Sequence, residues 1–292
     1  MVLTTLLWSL GGPLTRMLQD AKGLEVTFWR SVFAALTVGT WFAFQSLKTG
    51  HQDQPTPWWP QGGVQWLGGL LWAVMFTCFT VSMSLTPVAN VLITQSLTPI
   101  FTALLASRWL HKPVTRSTWV AVLVAALGIC TMYIFDVSGL AGPQILGVVV
   151  ALGIPSAGAL NWILLQRVGS QRDMTPAVWV GSCVSAALAL PFIWPLSVSG
   201  HDLILLALLG VVQLGIPCIL AVQVTQRLMA AEVSLLALLE VVFGILLSAL
   251  LTGERPGQAT LWGGTAVLAA LVYNEWASAT PRGAATSRAS RS

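Results

Sequence analysis

The stretch from Val88 to Ala126 reads VANVLITQSLTPIFTALLASRWLHKPVTRSTWVAVLVAA, and a similar stretch begins at Ala231. Apolar residues of the two stretches match easily by chance. Matching prolines and tryptophans in the same order are much less expected by chance. Upstream, the segment ending at Pro13 corresponds to the segment ending at Pro155 with the same spacing. We therefore predict that the chain contains two copies of one unit. Matching residues lie 142 or 143 positions apart: Leu97/Leu239, Phe101/Phe243, Leu104/Leu246, Pro113/Pro256 and Trp119/Trp262.

The composition predicts an all-α membrane protein. Of 292 residues, 55% are apolar and only 8% are charged, against about 25% charged in an ordinary soluble domain. Residues 54–107 and 174–200 contain no Asp, Glu, Lys, Arg or His. A helix needs about 20 mainly apolar residues to cross the hydrocarbon layer. The net charge of +4 lies in short loops and a tail, so we expect no nucleic-acid partner.

Ten membrane spans fit the apolar pattern. The long charge-free stretch is divided at Thr86-Pro87, because proline disfavours helix at the residue before it. Glycine, proline and charged residues mark the other boundaries. The predicted spans are Val2–Leu18, Val26–Ser46, Val64–Leu85, Val88–Leu110, Thr118–Phe135, Ile145–Leu165, Ala177–Leu196, Leu203–Val224, Val233–Thr252 and Ala259–Trp276.

The loop charges predict the orientation. With the N-terminus in the cytoplasm, ten basic residues lie inside and three lie outside, as the positive-inside rule requires. Both termini are then cytoplasmic. Residues 1–136 form the first repeat, residues 144–276 form the second repeat, and residues 277–292 form a disordered tail.

Five spans in each repeat have a consequence for topology. Because five is odd, the second copy enters the membrane from the opposite side, which gives an inverted repeat. Secondary transporters use this arrangement and bind their substrate near the midplane, between the repeats. The sequence therefore predicts a transporter with a central cavity.

Several motifs resemble the drug/metabolite transporter superfamily, EamA family, over nearly the whole chain. This resemblance implies ten helices in two inverted five-helix repeats around a central cavity, and the amino-acid and metabolite exporter group is the nearest in pattern. Two departures stand out: Val241 replaces a proline that is usual after Glu240, and His111-Lys112-Pro113 replaces an acidic loop. The motifs are Leu7-Trp8-Ser9, Phe28-Trp29-Arg30-Ser31, Thr86-Pro87-Val88-Ala89-Asn90, Leu97-Thr98-Pro99-Ile100-Phe101, Leu238-Leu239-Glu240 and Gly253-Glu254-Arg255-Pro256.

Two ionisable residues fall within the apolar spans, where such side chains are costly and often functional. Glu240 lies near the middle of the ninth span and could carry a proton, bind an ammonium group, or pair with backbone donors as a purely structural group. Arg30 lies in the second span and either extends to the outer interface or binds a carboxylate or phosphate. If both face the cavity, an amino acid would match their opposite charges.

Other polar and aromatic residues are candidates for substrate contact. Asn90, Thr94 and Gln95 lie on a polar stripe of the fourth span that continues through Thr98 and Thr102. Trp72 and Phe76 share one helix face with Phe79 and Met83, a pattern that more often reflects packing or lipid contact. Further candidates within spans are Asn161, Trp162 and Gln213.

Three prolines within the predicted spans are candidate hinges: Pro13, Pro155 and Pro217. Proline removes one helical hydrogen bond and collides with the preceding turn. A break at matching positions of both halves favours a hinge or a discontinuity that faces substrate. A static kink filled by packing is the alternative.

Taken together, these features predict a secondary transporter that moves a small polar organic solute by alternating access. An amino acid or related metabolite is the leading substrate, export is the favoured direction, and a proton is one candidate coupling ion. The chain lacks a phosphate-binding loop and the common zinc-protease and hydrolase motifs, so we expect no enzyme activity, no cofactor and no metal. The membrane is expected to be the bacterial inner membrane. The alternatives are a lipid-linked-metabolite flippase and an assembly subunit that does not transport.

Overall fold

The structure is a computed structural model that describes residues 1–21, 23–49, 59–110, 116, 119–121, 123–124, 127–128, 142–194, 198–225, 230–253 and 257–279. Most of the fifth predicted span and the end of the predicted tail lie outside the described residues. Within the described part, all regular secondary structure is helical. The helices are α1 (Val2–Trp8), α2 (Gly11–Arg16), α3 (Leu24–Thr49), α4 (Gly63–Leu85), α5 (Val88–Gln95), α6 (Thr98–Leu110), α7 (Gly142–Ala151), α8 (Gly153–Val168), α9 (Thr175–Ala189), α10 (Gly200–Leu208), α11 (Ile216–Thr225), α12 (Ala230–Thr252) and α13 (Gln258–Ala279).

The helices have the length and composition of membrane spans. Four continuous or nearly continuous helical stretches of the described chain are long and apolar enough to cross a bilayer: Gly63–Leu85, Gly142–Val168, Thr175–Phe192 and Gly200–Thr225. Shorter apolar helices cover Val88–Thr102, Leu239–Thr252 and Leu261–Ala270. Many large apolar side chains on their outer faces are exposed, among them Leu250 and Trp262, as expected for surfaces that contact lipid.

Proline determines where the spans are interrupted. One predicted span is interrupted between α1 and α2, and another is interrupted between α7 and α8. Pro13 and Pro155 are each the third residue of the helix that follows the interruption. Each lacks the N–H that would bond the carbonyl four residues earlier, at Ser9 and Ala151, so the helix restarts within the first turn. The predicted discontinuities at these two prolines are therefore present as helix breaks. Whether they act as hinges stays a prediction.

The fourth predicted span is also broken, which the sequence interpretation missed. α5 ends at Gln95 and α6 begins at Thr98, with Pro99 second in the new helix. The carbonyl of Gln95 loses its helical donor because Pro99 has no N–H. The hydroxyl of Thr98 donates to that carbonyl at 2.6 Å instead. The break therefore leaves the carbonyl of Gln95 hydrogen bonded, and it places Gln95 at the end of a helix.

A π-helical segment, Leu209–Gly215, separates α10 from α11. Pro217 follows it and cannot donate to the carbonyl of Gln213, four residues earlier. Such wide turns are rare and often occur at functional sites. The third predicted discontinuity thus takes the form of a π segment within an otherwise continuous helix.

Glycines allow α4 and α9 to pack closely, as small residues do between membrane helices. A Cβ atom on Gly181 would lie 2.9 Å from the carbonyl oxygen of Gly69 and 3.2 Å from the backbone nitrogen of Ala73. Both neighbours are backbone atoms and cannot rotate away. The two helices can keep this separation only with glycine at position 181.

We therefore expect Gly181→Ala to destabilise the protein, because the added methyl forces α4 and α9 apart. Overpacking of this kind costs about 1–3 kcal/mol. The measurement is the thermal unfolding midpoint of detergent-purified protein. Gly63→Ala is the matched control, since nothing lies within 4 Å of a Cβ atom at Gly63. Equal midpoints for the two variants would contradict the close approach described here.

Candidate functional site

A cavity lies at the centre of the helical bundle, between the two copies of the repeated unit. It contains about 980 Å³ of space, including its opening. Its walls come from α1, α3, α4, α5, α6, α8, the π segment, α11 and α12.

Equivalent residues of the two copies line this cavity. Five pairs in its wall lie 142 positions apart, the spacing of the sequence repeat: Trp72/Leu214, Phe76/Cys218, Gln95/Ala237, Thr98/Glu240 and Pro99/Val241. Within the first three of these pairs the first copy contributes the larger side chain, and in the fourth the second copy contributes the carboxylate. The paired positions therefore differ in chemistry.

Both candidate charges line this cavity. Glu240 is 5% exposed, and one of its carboxylate oxygens accepts a hydrogen bond from Nε2 of Gln95 at 3.0 Å. Arg30 is 4% exposed, and its Nε donates to Oε1 of Gln213 at 3.0 Å. Its guanidinium carbon lies 5.0 Å from the ring centre of Phe79, a cation–π distance. The alternative that Arg30 extends to the outer interface is wrong, because the side chain is buried.

Arg30 and Glu240 line the same cavity but do not form an ion pair. Nitrogen and oxygen atoms of an ion pair lie within about 4 Å, and the described residues include no such pair between these two side chains. Two opposite charges therefore line one cavity and leave each other unneutralised. A solute that carries both an anionic and a cationic group would match this arrangement.

Gln213 also contacts a helix break. Its Nε2 donates to the carbonyl of Trp8 at 3.2 Å, at the last residue of α1. That carbonyl belongs to the end of an interrupted helix, where backbone acceptors need outside donors. Gln213 therefore joins the break between α1 and α2 to the guanidinium of Arg30.

Aromatic rings form much of the remaining wall. Trp72 lies 5.4 Å from Phe76 and 6.4 Å from Trp162, measured between ring centres, the second pair with planes at 76°. Phe79 and Trp8 also line the cavity. The sequence had favoured packing or lipid contact for the face that carries Trp72, Phe76, Phe79 and Met83. All four side chains pack in buried apolar clusters, and three of them, Trp72, Phe76 and Phe79, also line the cavity.

Three candidates lie outside the cavity wall: Asn90, Thr94 and Asn161. The amide of Asn90 donates to Oγ1 of Thr86 at 3.3 Å, and the hydroxyl of Thr94 donates to the carbonyl of Asn90 at 2.8 Å. These bonds stabilise α5 and its start, and ligand contact by these side chains stays a prediction. Asn161 is fully buried among other helices, one residue before Trp162, whose ring faces the cavity.

Several polar atoms of the wall have unused hydrogen-bonding capacity. Among the described residues, no partner is present for Nη1 of Arg30, Nε1 of Trp72 or Oε1 of Gln95. Buried polar atoms without a partner are destabilising and uncommon. These three atoms are themselves almost inaccessible, so a bound solute would reach them only after side chains of the wall shift.

The cavity opens at one end of the bundle. It extends along α8 from Ile154 to Gln166, about 18 Å at 1.5 Å per helical residue. Gln166 is exposed, and Thr102 and Ala237 beside it are partly exposed, whereas Arg30 and Trp72 are almost inaccessible. The mouth therefore lies near the end of α8, with Thr102 of α6 and Ala237 of α12 in the same wall.

The opposite end is closed by polar contacts, which we call the far closure. α4 runs antiparallel to α7 and α8, because its Gln65 donates to the carbonyl of Asp173 beyond α8 while Gly147 of α7 packs against its last residue. Thr86 therefore lies away from the mouth, and Arg16 donates to its carbonyl at 2.9 Å.

Asp202 makes the main contacts of the far closure. Its carboxylate is fully buried and accepts hydrogen bonds from three consecutive backbone N–H groups of the loop after α2, at Gln19, Asp20 and Ala21, with distances of 3.0, 2.8 and 2.9 Å. Asp202 is the third residue of α10, and Ser199 caps the helix by accepting from the backbone N–H of Asp202. The closure thus ties the second copy to the first.

Sequence reasoning missed Trp8, Gln166 and Cys218 as wall residues, and it missed Asp202 entirely. Trp8 and Cys218 resemble ordinary apolar-span residues, and only the repeat spacing, which pairs Cys218 with Phe76, could have suggested Cys218. Among the described residues, no group of three His, Cys, Asp or Glu side chains could hold a metal ion.

Comparison with known proteins adds a family match and two relatives. The model of the EamA-like transporter family matches residues 1–134 and 145–274. An S-adenosylmethionine uptake transporter from Rickettsia felis (strain ATCC VR-1525 / URRWXCal2) is 23% identical over 261 residues, covering 86% of this chain and 83% of that protein. A solved crystal structure shares the fold with a TM-score of 0.61 and 16% identity, and the match covers 93% of each chain.

Proposed function

The chain belongs to the EamA-like transporter family of membrane proteins, and from this premise we propose that it transports a small zwitterionic organic solute, an amino acid or related metabolite, by alternating access. The observation that carries the proposal is the pair of unneutralised opposite charges, Arg30 and Glu240, in one central cavity. An ammonium group would bind at Glu240, and a carboxylate would bind at Arg30.

The aromatic wall supports a solute with a planar or cationic group. Trp72, Phe76, Phe79 and Trp162 would stack on an aromatic ring or contact a cation through their faces. S-adenosylmethionine, which the Rickettsia relative is named for, combines an amino-acid group, a sulfonium cation and an adenine ring. It is therefore a candidate here beside the aromatic amino acids.

Alternating access is supported by the shape of the cavity. One end is open at Gln166, and the other is held shut by the far closure. The five wall pairs at the repeat spacing support ten spans arranged as two inverted repeats, residues 1–136 and 144–276, followed by the tail 277–292. An assembly subunit without transport is disfavoured, because such a protein has no need for a charged cavity.

Location, direction and coupling complete the proposal. The positive-inside count supports both termini in the cytoplasm, so that the mouth faces the cytoplasm, and the family supports the bacterial inner membrane. Export is the proposed direction because a cavity open to the cytoplasm can be loaded from that side, whereas the relative is named for uptake. Glu240 is the one carboxylate of the described cavity wall, which makes a proton the candidate coupling ion.

A thermal-shift panel tests the substrate class. A ligand that binds only the folded state raises stability by RT ln(1 + [L]/Kd). We expect zwitterions such as L-tryptophan and S-adenosylmethionine to raise the unfolding midpoint of the purified protein, and sugars and nucleosides without charge to leave it unchanged. A shift with lipid-linked metabolites alone would contradict the zwitterion and favour the flippase.

A further inference from the structure

Each charge in the cavity is hydrogen bonded by a glutamine from the other copy of the repeat. Gln95 of the first copy donates to Glu240 of the second at 3.0 Å. Gln213 of the second copy accepts from Arg30 of the first at 3.0 Å. The two bonds are reciprocal, and each crosses the boundary between the copies.

Without these two amides, we would expect Arg30 and Glu240 to form a direct ion pair. Opposite charges attract strongly in surroundings of low polarity, and both Arg30 and Glu240 are nearly inaccessible to water. The arginine side chain is long and flexible enough to change its direction. A direct ion pair would neutralise both groups and leave neither available to a solute.

The two glutamines are themselves held in place. The amide of Gln213 also donates to the carbonyl of Trp8 at 3.2 Å. It lies so close to α2 that a Cβ atom on Gly11 would be 2.8 Å from its Nε2. Gln95 is the last residue of α5, where the break before Pro99 fixes its backbone. The amide of Gln213 is thus tethered to the helix break, whereas Gln95 is fixed through its backbone and its bond to Glu240.

We propose that Gln95 and Gln213 are positioning residues that hold Arg30 and Glu240 apart. Each charged side chain then stays available to the solute and does not pair with the other. The binding of a solute by the separated charges rests on the proposed function, whereas the separation of the charges does not. Preorganised polar groups bind more tightly because they need no rearrangement when the ligand arrives. Since both bonds cross between the copies, movement of one copy against the other must break or remake them.

A double-mutant cycle without any solute tests the separation. Arg30→Gln, Glu240→Gln and the double variant are made in the wild-type chain and again in a chain that carries Gln95→Leu and Gln213→Leu. Leucine has a similar size but cannot hydrogen bond. The measured quantity is the departure from additivity of the thermal unfolding midpoints, which reports coupling between Arg30 and Glu240 alone.

The expected result is weak coupling in the wild-type chain and stronger coupling once the amides are gone, by about 2 °C or more. A merely structural role for the glutamines would lower every midpoint without changing that coupling. Equal coupling in both chains, or strong coupling already in the wild type, would overturn the proposal. If the doubly substituted chain fails to fold, each single leucine variant gives the same comparison with half of the separation removed.

Two further variants sharpen the test. Gln166→Leu is the control, because Gln166 lines the same cavity at its exposed mouth and bonds neither charge. It should leave the coupling at the wild-type value. Gly11→Ala should raise the coupling by displacing the Gln213 amide without removing a polar group. Because no solute is present, a failure of the transport proposal would leave this result intact.

Discussion

Arg30→Gln is expected to weaken binding of a zwitterionic amino acid by roughly 10- to 150-fold, the range that corresponds to one charge-assisted hydrogen bond. The guanidinium is fixed by Gln213 and Phe79, and its Nη1 has no partner among the described residues. A substrate carboxylate would supply that partner. Removing the charge removes the interaction and leaves the aromatic wall unchanged.

The matched ligand for this prediction is the amide of the same amino acid. Because it has no carboxylate, its affinity should change little when Arg30 is replaced. Affinities are measured by isothermal titration calorimetry on the purified wild type and variant. Arg108→Gln is the control, since Arg108 is exposed and lies outside the cavity wall. Equal losses for the acid and its amide would show that Arg30 supports the fold and does not bind the carboxylate.

Asp202→Asn is expected to open the end of the cavity that the structure shows closed. The carboxylate accepts three backbone hydrogen bonds from residues 19–21. An asparagine has one acceptor oxygen and no charge, and charge-assisted bonds are about twice as strong as neutral ones. The closed state therefore loses stability relative to a state open at the other side. Access from that side should rise by at least about tenfold.

A cysteine inside the cavity reports this access. Ser96→Cys is a small change in the cavity wall, made in a chain whose Cys78, Cys130, Cys183 and Cys218 are replaced by serine. Right-side-out vesicles are treated with a membrane-impermeant thiol reagent, and the labelling rate is compared with and without Asp202→Asn. Asp20→Asn removes the same charge nearby but leaves the acceptor in place, so its rate should stay low. Equal rates for both variants would contradict the far closure.

The sequence was sufficient for features that depend on local chemistry or on the repeat. Proline chemistry located the interruptions before Pro13 and Pro155, and apolar length separated α4 from α5 at Thr86-Pro87. The break before Pro99 follows the same rule, yet the polar stripe continues across it through Thr98 and Thr102, as in an unbroken helix. Burial cost alone singled out Arg30 and Glu240 as residues in need of an explanation.

Features that depend on distant contacts could not be obtained this way. The bond from Gln213 to Trp8 joins residues 205 positions apart, and no local pattern indicates it. Ser199, three residues before Asp202, predicts the start of a helix. It does not predict which loop donates hydrogen bonds to the Asp202 carboxylate. Asn90 and Thr94 looked equivalent to Gln95 on the stripe, and only packing directs Gln95 alone toward Glu240.

Solute exchange in proteoliposomes tests the central claim most directly. Wild-type protein is reconstituted, loaded with unlabelled L-tryptophan or S-adenosylmethionine, and supplied with the same labelled solute outside. The account predicts saturable exchange for the wild type, and exchange close to that of empty liposomes for the Arg30→Gln, Glu240→Gln double variant. Undiminished exchange by the double variant, or no exchange by wild-type protein with any zwitterion that raises its unfolding midpoint, would contradict transport through this cavity.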